Sequence, residues 1–209
     1  MENNRLILIG GGGHCKSVID AAERSGRFQE IVVLDPNLPV GSFICGFPVA
    51  GGDDRLPELF RLGFRSAFVA AGSLESTSLR EKLYRKAREA GFSFPDIADP
   101  SAVVSKHAVI GEGVFIGKNA VINADARIGD HAIINTAAVI EHEAVVGAFS
   151  HVAVGARICG QSVIGDRCLV GAGATVIQCV RAGDGAVIGA GSVVLRDMEP
   201  GEKNYGVIH

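Results

Sequence analysis

The sequence predicts two units: a small parallel α/β sheet over residues 1–98 and a three-sided coil of short parallel strands over residues 99–209. Two observations predict them. Aliphatic residues recur at every sixth position from Val104 to Val194. Ahead of that ladder, apolar runs alternate with helix-like segments, the pattern of a parallel sheet with crossover helices.

In chain order, residues 5–9 (RLILI) read as a buried strand. GGGGH then opens a helix over CKSVIDAAERSG, and EIVVLD is a second strand ending in Asp35. A helical segment around Asp53–Leu62 leads to SAFVAAG, a third strand ending near Gly72. SLESTSLREKLYRKAREAG reads as a helix with a capping start, FSFPDI as a short extended exit, and Asp99–Pro100 as the passage into the second unit. This half is Rossmann-like. A glycine loop after a strand and before a helix offers free backbone N–H groups and a helix N-terminus to an anion; its other reading is a tight turn with a structural cap. Counted from Gly10, the third glycine of a dinucleotide fingerprint is Cys15, which disfavours a nicotinamide dehydrogenase and favours a single nucleotide diphosphate. Asp35 stands where a ribose or base is held.

In the second half, fifteen of the sixteen sixth-position residues from Val104 to Val194 are Val or Ile. A second, mostly small series follows four residues after each, from Ala108 to Met198, and glycine often follows the aliphatic position, as at Gly117, Gly129 and Gly171. A period of six fits neither a helix nor a two-sided strand. It fits a short strand and a corner, with the aliphatic side chain inside, the small residue closing the turn and glycine relieving strain at the bend. Three hexads close one coil, so residues eighteen apart stack, and sixteen hexads give a little over five coils.

The net charge of -3 gives no support to nucleic-acid binding. The N-terminal apolar run is too short for a signal peptide or a membrane span, so a cytoplasmic protein is expected. The five cysteines (Cys15, Cys45, Cys159, Cys168, Cys179) are odd in number and show no CxxC spacing, against a disulfide framework or a common zinc site.

One stretch, NTAAVIEHEAVVGAFSH, breaks the bland repeat with Glu141, His142 and Glu143 at an outward corner and His151 nearby. Paired histidine and carboxylate suit proton transfer. Cys159 lies near that corner, with nothing obvious beside it to lower a thiol pKa.

The repeats resemble those of the hexapeptide-repeat acyltransferases. That resemblance implies a left-handed parallel β-helix, a homotrimer, and acyl-CoA in the groove between two prisms. With ILIGGGGH, VVLD, AAG and NTAAVIEHEAVVGAFSHVAVGARICG included, nearly the whole chain resembles the nucleotide-sugar N-acetyltransferases of bacterial surface-glycan pathways. These include the enzymes that acetylate a UDP-4-amino-4,6-dideoxy sugar to make N,N′-diacetylbacillosamine. Sialic-acid O-acetyltransferases share much of the pattern.

The resemblance implies His142 as general base, Glu143 as the carboxylate that modulates it, and Asn135 and His151 as polar residues of the site. Gly12, Gly13 and His14 would surround the phosphates, Asp35 and Pro36 the nucleoside, and Gly72 would give a backbone contact. Acetyl-CoA would meet His151, Gly160, Ala172 and Ala190. Independently of it, the spacing of eighteen stacks Gly160 beneath His142, where its N–H could polarise a thioester carbonyl. The same spacing stacks Ala172 with Ala190, leaving room for a pantetheine arm or simply for turn packing.

The expected reaction moves acetyl from acetyl-CoA to a sugar amine without an acyl-enzyme and without a metal. Pro36 stands where relatives often carry an acid, which leaves uracil, guanine and thymine open. The ending PGEKNYGVIH differs from the Gly-Val-Pro-Ala-Lys-like tail of relatives and leaves contacts to the far end of the coenzyme open. The alternatives are an O-acetyltransferase acting on a sialic acid or other hydroxyl, a metal-dependent lyase of the γ-carbonic-anhydrase kind, and a non-catalytic sugar-nucleotide binder. For the lyase, His107, His131, His142 and His151 form no obvious ligand set.

Overall fold

The computed structural model describes residues 4–72 and 76–208. In the N-terminal unit, β1 (Arg5–Ile9), β2 (Glu30–Leu34) and β5 (Ser66–Val69) are the three strands expected from their apolar runs. They pair in parallel, with β1 between β2 and β5. Two further strands, β3 (Phe43–Ile44) and β4 (Phe47–Gly51), extend the sheet to the order β3-β4-β2-β1-β5. The hairpin joining them turns on Cys45 and Gly46, both left-handed at φ 46° and 84°, as a tight two-residue turn requires.

Helix α1 (Gly13–Ser25) starts at the glycine loop and stops at left-handed Gly26. A 3-10 turn (Asp53–Arg55) and α2 (Leu56–Arg61) follow β4, and α3 (Ser78–Glu89) follows β5. Part of the expected capping start of α3 lies outside the described residues. At its first turn Thr77 makes no side-chain bond to the backbone; its hydroxyl instead donates to Glu81 Oε1 at 2.6 Å.

The second unit is a three-sided parallel β-helix of two-residue strands. Val121–Ile122 pairs with Val139–Ile140 and that pair with Arg157–Ile158, and this eighteen-residue register holds from Ile97 to Val194. The ladder extends past the hexad series Val104–Val194 at both ends. Ile97–Ala98 already pairs with Phe115–Ile116. The tail strands Lys203–Asn204 and Val207–Ile208 pair with Val187–Ile188 and Val193–Val194.

Both repeat series point inward and form one core, from Val114 and Ile116 to Ala186 and Ile188. Interior serines are paired: Ser150 donates to the Gly165 carbonyl and Ser162 to the Ile177 carbonyl, each at 2.7 Å. Val104, at the first rung, is still 38% exposed because no coil lies beyond it to complete the layer.

The role expected of the glycines after the aliphatic position needs correction. They are not left-handed. A Cβ on Gly117 would stand 2.7 Å from the Thr136 nitrogen, and one on Gly171 2.5 Å from the Ala190 nitrogen. Close stacking of successive coils, rather than φ, excludes a side chain there. The left-handed positions come two residues later, and many carry side chains, including Asn119, His131, Glu143 and Gln161.

Helix α1 joins the units. Cys15, Val18, Ile19 and Ala22 pack with the sheet residues Leu6 and Leu8 and with Ile97, Phe115 and Ile133 of the prism face. Arg24 binds both oxygens of buried Asp99 at 2.8 and 2.9 Å. A second joint is aromatic: His131 is stacked on Phe149 at 5.0 Å and contacts Tyr84 and Phe94, while buried Arg80 donates to the His131 carbonyl at 2.6 Å.

Burial, reinforced by Arg80, pushes the His131 imidazole down to about 4. The unfolded chain takes up that proton near pH 6.5 and the folded chain does not, so His131 destabilises the fold as pH falls from 6.5 towards 4. At pH 4.5 the cost is about 2.5 kcal/mol. Urea midpoints should fall across this window, and His131→Phe should flatten the fall; an unchanged slope would show that this ring does not set it.

Candidate active site

The first cavity, about 400 Å³, opens at the carboxyl ends of β1, β2 and β5. A parallel sheet places its ligand crevice there because strand ends and helix starts leave backbone groups unpaired. Gly12, Asp35, Pro36 and Gly72 line it. Gly10 is left-handed at φ 104°, and a Cβ on it would meet the Ala71 nitrogen at 2.8 Å, so the loop lies hard against the neighbouring strand end. Around Gly12 and Gly13 a Cβ would meet nothing within 4 Å, which leaves the α1 N-terminus approachable by a ligand.

Asp35 has a structural task besides any ligand contact. Its Oδ2 accepts the Gly11 N–H at 2.8 Å and its Oδ1 the Asn37 N–H at 2.9 Å, stapling the glycine loop to the loop after β2. Each oxygen retains accepting capacity for a hydroxyl. Sequence reasoning missed Asn37, Leu79, Lys82 and Leu83, which also line this cavity. The last three recur at helical spacing and so share one face of α3; that spacing was readable, but not the direction in which the face points.

A second cavity of about 630 Å³ lies where α1 meets the prism, lined by Gly13, His14, Ser17, Gly72, Asn135, Thr136, His151 and Val154. Gly72 borders both cavities. The Asn135 amide and His151 Nε2 are 3.2 Å apart, and Asn135 Oδ1 accepts the Thr136 N–H at 2.8 Å. With Oδ1 so engaged, the amide donates to Nε2, which places the His151 proton on Nδ1. His14 packs edge-on against Phe115 at 4.9 Å. Burial, then Arg80 and His151, push it down to about 3. At neutral pH the ring is therefore uncharged in this chain.

His142 and Glu143 occupy another corner of the triangle. The Asn135 turn connects Ile133–Ile134 to Val139–Ile140, whereas the His142 turn connects Val139–Ile140 to Val145–Val146. The two side chains are exposed, with His142 Nδ1 3.3 Å from Glu143 Oε2. Hydrogen bonds from Gln161 and from His142 hold the Glu143 carboxyl below its usual range. Gly160 stacks beneath the ring, where an added Cβ would meet His142 Cε1 at 2.7 Å. The Gly160 carbonyl accepts the Cys179 N–H, and its own N–H makes no hydrogen bond among the described residues. Burial raises the nearby Cys159 thiol, so it is a poor nucleophile.

Ala172 and Ala190 are stacked, the Gly191 N–H donating to the Ala172 carbonyl at 2.8 Å. They continue the column of Thr136 and Val154, so they belong to the Asn135 corner and not to that of His142. Beside them Gly155, Gly173 and Gly191 face open space. One chain thus joins the cleft at the strand ends, the Asn135–His151 cavity and the alanine column. It sets the His142–Glu143–Gly160 group apart from them. Among the described residues no group of three or more His, Cys, Asp or Glu could hold a metal ion.

Residues 5–87 match the PglD N-terminal domain and residues 94–187 the GMPPB C-terminal domain. A comparison with curated proteins gives no match. Among solved structures, a mutant GDP-perosamine N-acetyltransferase from Caulobacter crescentus, in complex with CoA and GDP-perosamine, is 40% identical; the match covers 96% of this chain and 93% of that one, with a TM-score of 0.88. The acetyltransferase domain of PglB from Neisseria gonorrhoeae, in complex with acetyl coenzyme A, is 35% identical over 98% and 97% of the two chains, with a TM-score of 0.90. WeeI from Acinetobacter baumannii, at 19% identity and a TM-score of 0.78, shares the fold. The chain therefore belongs to the hexapeptide-repeat sugar N-acetyltransferases, an α/β domain joined to a left-handed parallel β-helix.

Proposed function

We propose that this chain transfers the acetyl group of acetyl-CoA to the C4 amine of a UDP-4-amino-4,6-dideoxy sugar, the step that forms N,N′-diacetylbacillosamine in its nucleotide-linked form. The single observation that carries the reading is the pair of cavities meeting at Gly72. The first suits a nucleoside diphosphate, with the α1 N-terminus towards the phosphates. The second leads the sugar towards the prism corner, where Asn135 and His151 offer polar contacts.

The alanine–glycine column gives a pantetheine arm space along the prism axis. The base then has to come from another copy, since His142 sits on a different corner of the same chain. Threefold closure would set the His142 corner of one protomer against the Asn135 corner of the next, so we propose a homotrimer with three shared sites. The bound amine attacks the thioester carbonyl. His142 Nε2 takes the amine proton and returns one to the departing thiolate, while the Gly160 N–H steadies the oxyanion. Among the described residues no helix is long and apolar enough to cross a membrane. We propose that the chain works in the cytoplasm.

The test is CoA release from acetyl-CoA with UDP-, GDP- and dTDP-linked 4-amino-4,6-dideoxy sugars, against a blank without acceptor. Acceptor-dependent release with an N-acetylated product is expected, fastest with the UDP sugar. Faster turnover of the GDP sugar would reassign the nucleotide. Release only with sialic acids or other hydroxyl acceptors would overturn the amine reading.

A further inference from the structure

We infer that Gln161 is a positioning residue for the His142–Glu143 pair, acting through the Glu143 carboxylate. Its Nε2 donates to Glu143 Oε2 at 3.0 Å, the same oxygen that faces His142 Nδ1 at 3.3 Å. On its far side, the Cys179 thiol donates to Gln161 Oε1 at 3.4 Å. The three side chains stand eighteen residues apart, one above another on successive coils. The carboxylate only accepts, so the amide turns its NH2 group to Glu143 and leaves Oε1 to the weak thiol donor, and the same carboxylate oxygen holds the imidazole. A carboxylate beside Nδ1 keeps the proton there and leaves the Nε2 lone pair for the substrate.

The backbone geometry is compatible with this role. Asp125, Glu143, Gln161 and Cys179 are all left-handed, at φ 61°, 58°, 61° and 63°. A side chain in that conformation costs on the order of 1 kcal/mol that glycine avoids. The same left-handed place carries Asn119, Ala137, Gly155, Gly173 and Gly191 on the Asn135 corner, and His131, Phe149 and Arg167 on the third corner. From residue 155 onward the Asn135 corner holds glycine at this place, whereas the His142 corner keeps Gln161 and Cys179. Gln161 is exposed and supports no core; its side-chain hydrogen bonds run to Glu143 and from Cys179.

The inference rests on His142 being the base, and the experiment separates the two. Gln161→Leu and Gln161→Asn are compared with the parent chain, each alone and combined with Glu143→Ala, and His142→Ala is run alongside. Gln161→Leu should lower kcat about tenfold, with KM for both substrates within about twofold and an unchanged melting temperature. In the Glu143→Ala background it should cost less than about twofold, because the group through which it acts is gone. Nitrogen NMR of His142 should show its Nδ1–H form giving way to a tautomer mixture in Gln161→Leu.

Equal losses with and without Glu143, or an unmoved tautomer, would overturn the inference. Should Gln161→Leu fold poorly, Gln161→Asn carries the same comparison. Near-parental turnover by His142→Ala would remove the base, and the role of Gln161 with it; loss in His142→Ala with no loss in Gln161→Leu would sink the positioning role alone.

Discussion

His142→Ala should lower kcat by about 10²–10⁴-fold while leaving KM for the nucleotide sugar nearly unchanged, the loss expected when a positioned proton acceptor is removed. A sugar amine exists largely as ammonium at neutral pH and has no lone pair with which to attack. An imidazole suits its deprotonation because histidines titrate near neutrality. The corner supplies what such a base needs: an exposed ring, a carboxylate 3.3 Å from Nδ1, and a glycine underneath. Removing an exposed ring creates no cavity, so the melting temperature should hold. The residual rate should rise with pH as free amine accumulates, a trend that separates loss of a base from loss of a binding contact. Turnover close to that of the parent would sink the base assignment.

Much of this was legible because the repeat leaves so little freedom. An aliphatic residue at every sixth position fixes which side chains face inward, and the eighteen-residue register then places Gly160 under His142 and Ala172 beside Ala190 without reference to coordinates. Glu141–His142–Glu143 stood out because ionisable groups interrupt a bland corner. The β3–β4 hairpin was hidden because FPVAG mixes proline and glycine into a strand and its turn uses Cys45–Gly46 rather than Asn-Gly. The glycines of the ladder were visible but given the wrong cause, since close approach between coils leaves no mark on local sequence. Asp35 was read as a ligand contact, and its staple to Gly11 and Asn37 depends on loop geometry. His14 looks like a phosphate contact in sequence; only its burial beside Phe115 and Arg80 makes it a neutral ring.

Gly160→Ala should separate geometry from stability at the same corner. The added methyl would stand 2.7 Å from His142 Cε1 and 2.8 Å from Nε2, closer than any real Cβ contact. The atoms in its way belong to an exposed side chain that can swing aside, so folding should lose little and the melting temperature should stay near that of the parent. The cost falls on the reaction. Swinging the ring breaks its alignment with Glu143 and moves Nε2 away from the incoming amine, and a displacement near 1 Å is worth about 10²-fold in rate. The methyl also crowds the N–H that would meet the thioester oxygen. A loss of about 10²-fold in kcat with intact folding is expected, and His142→Ala in the same background should then add far less than it does in the parent chain, because both changes remove one arrangement. Full multiplication of the two losses would mean that Gly160 acts on the reaction without passing through His142, as an oxyanion donor alone.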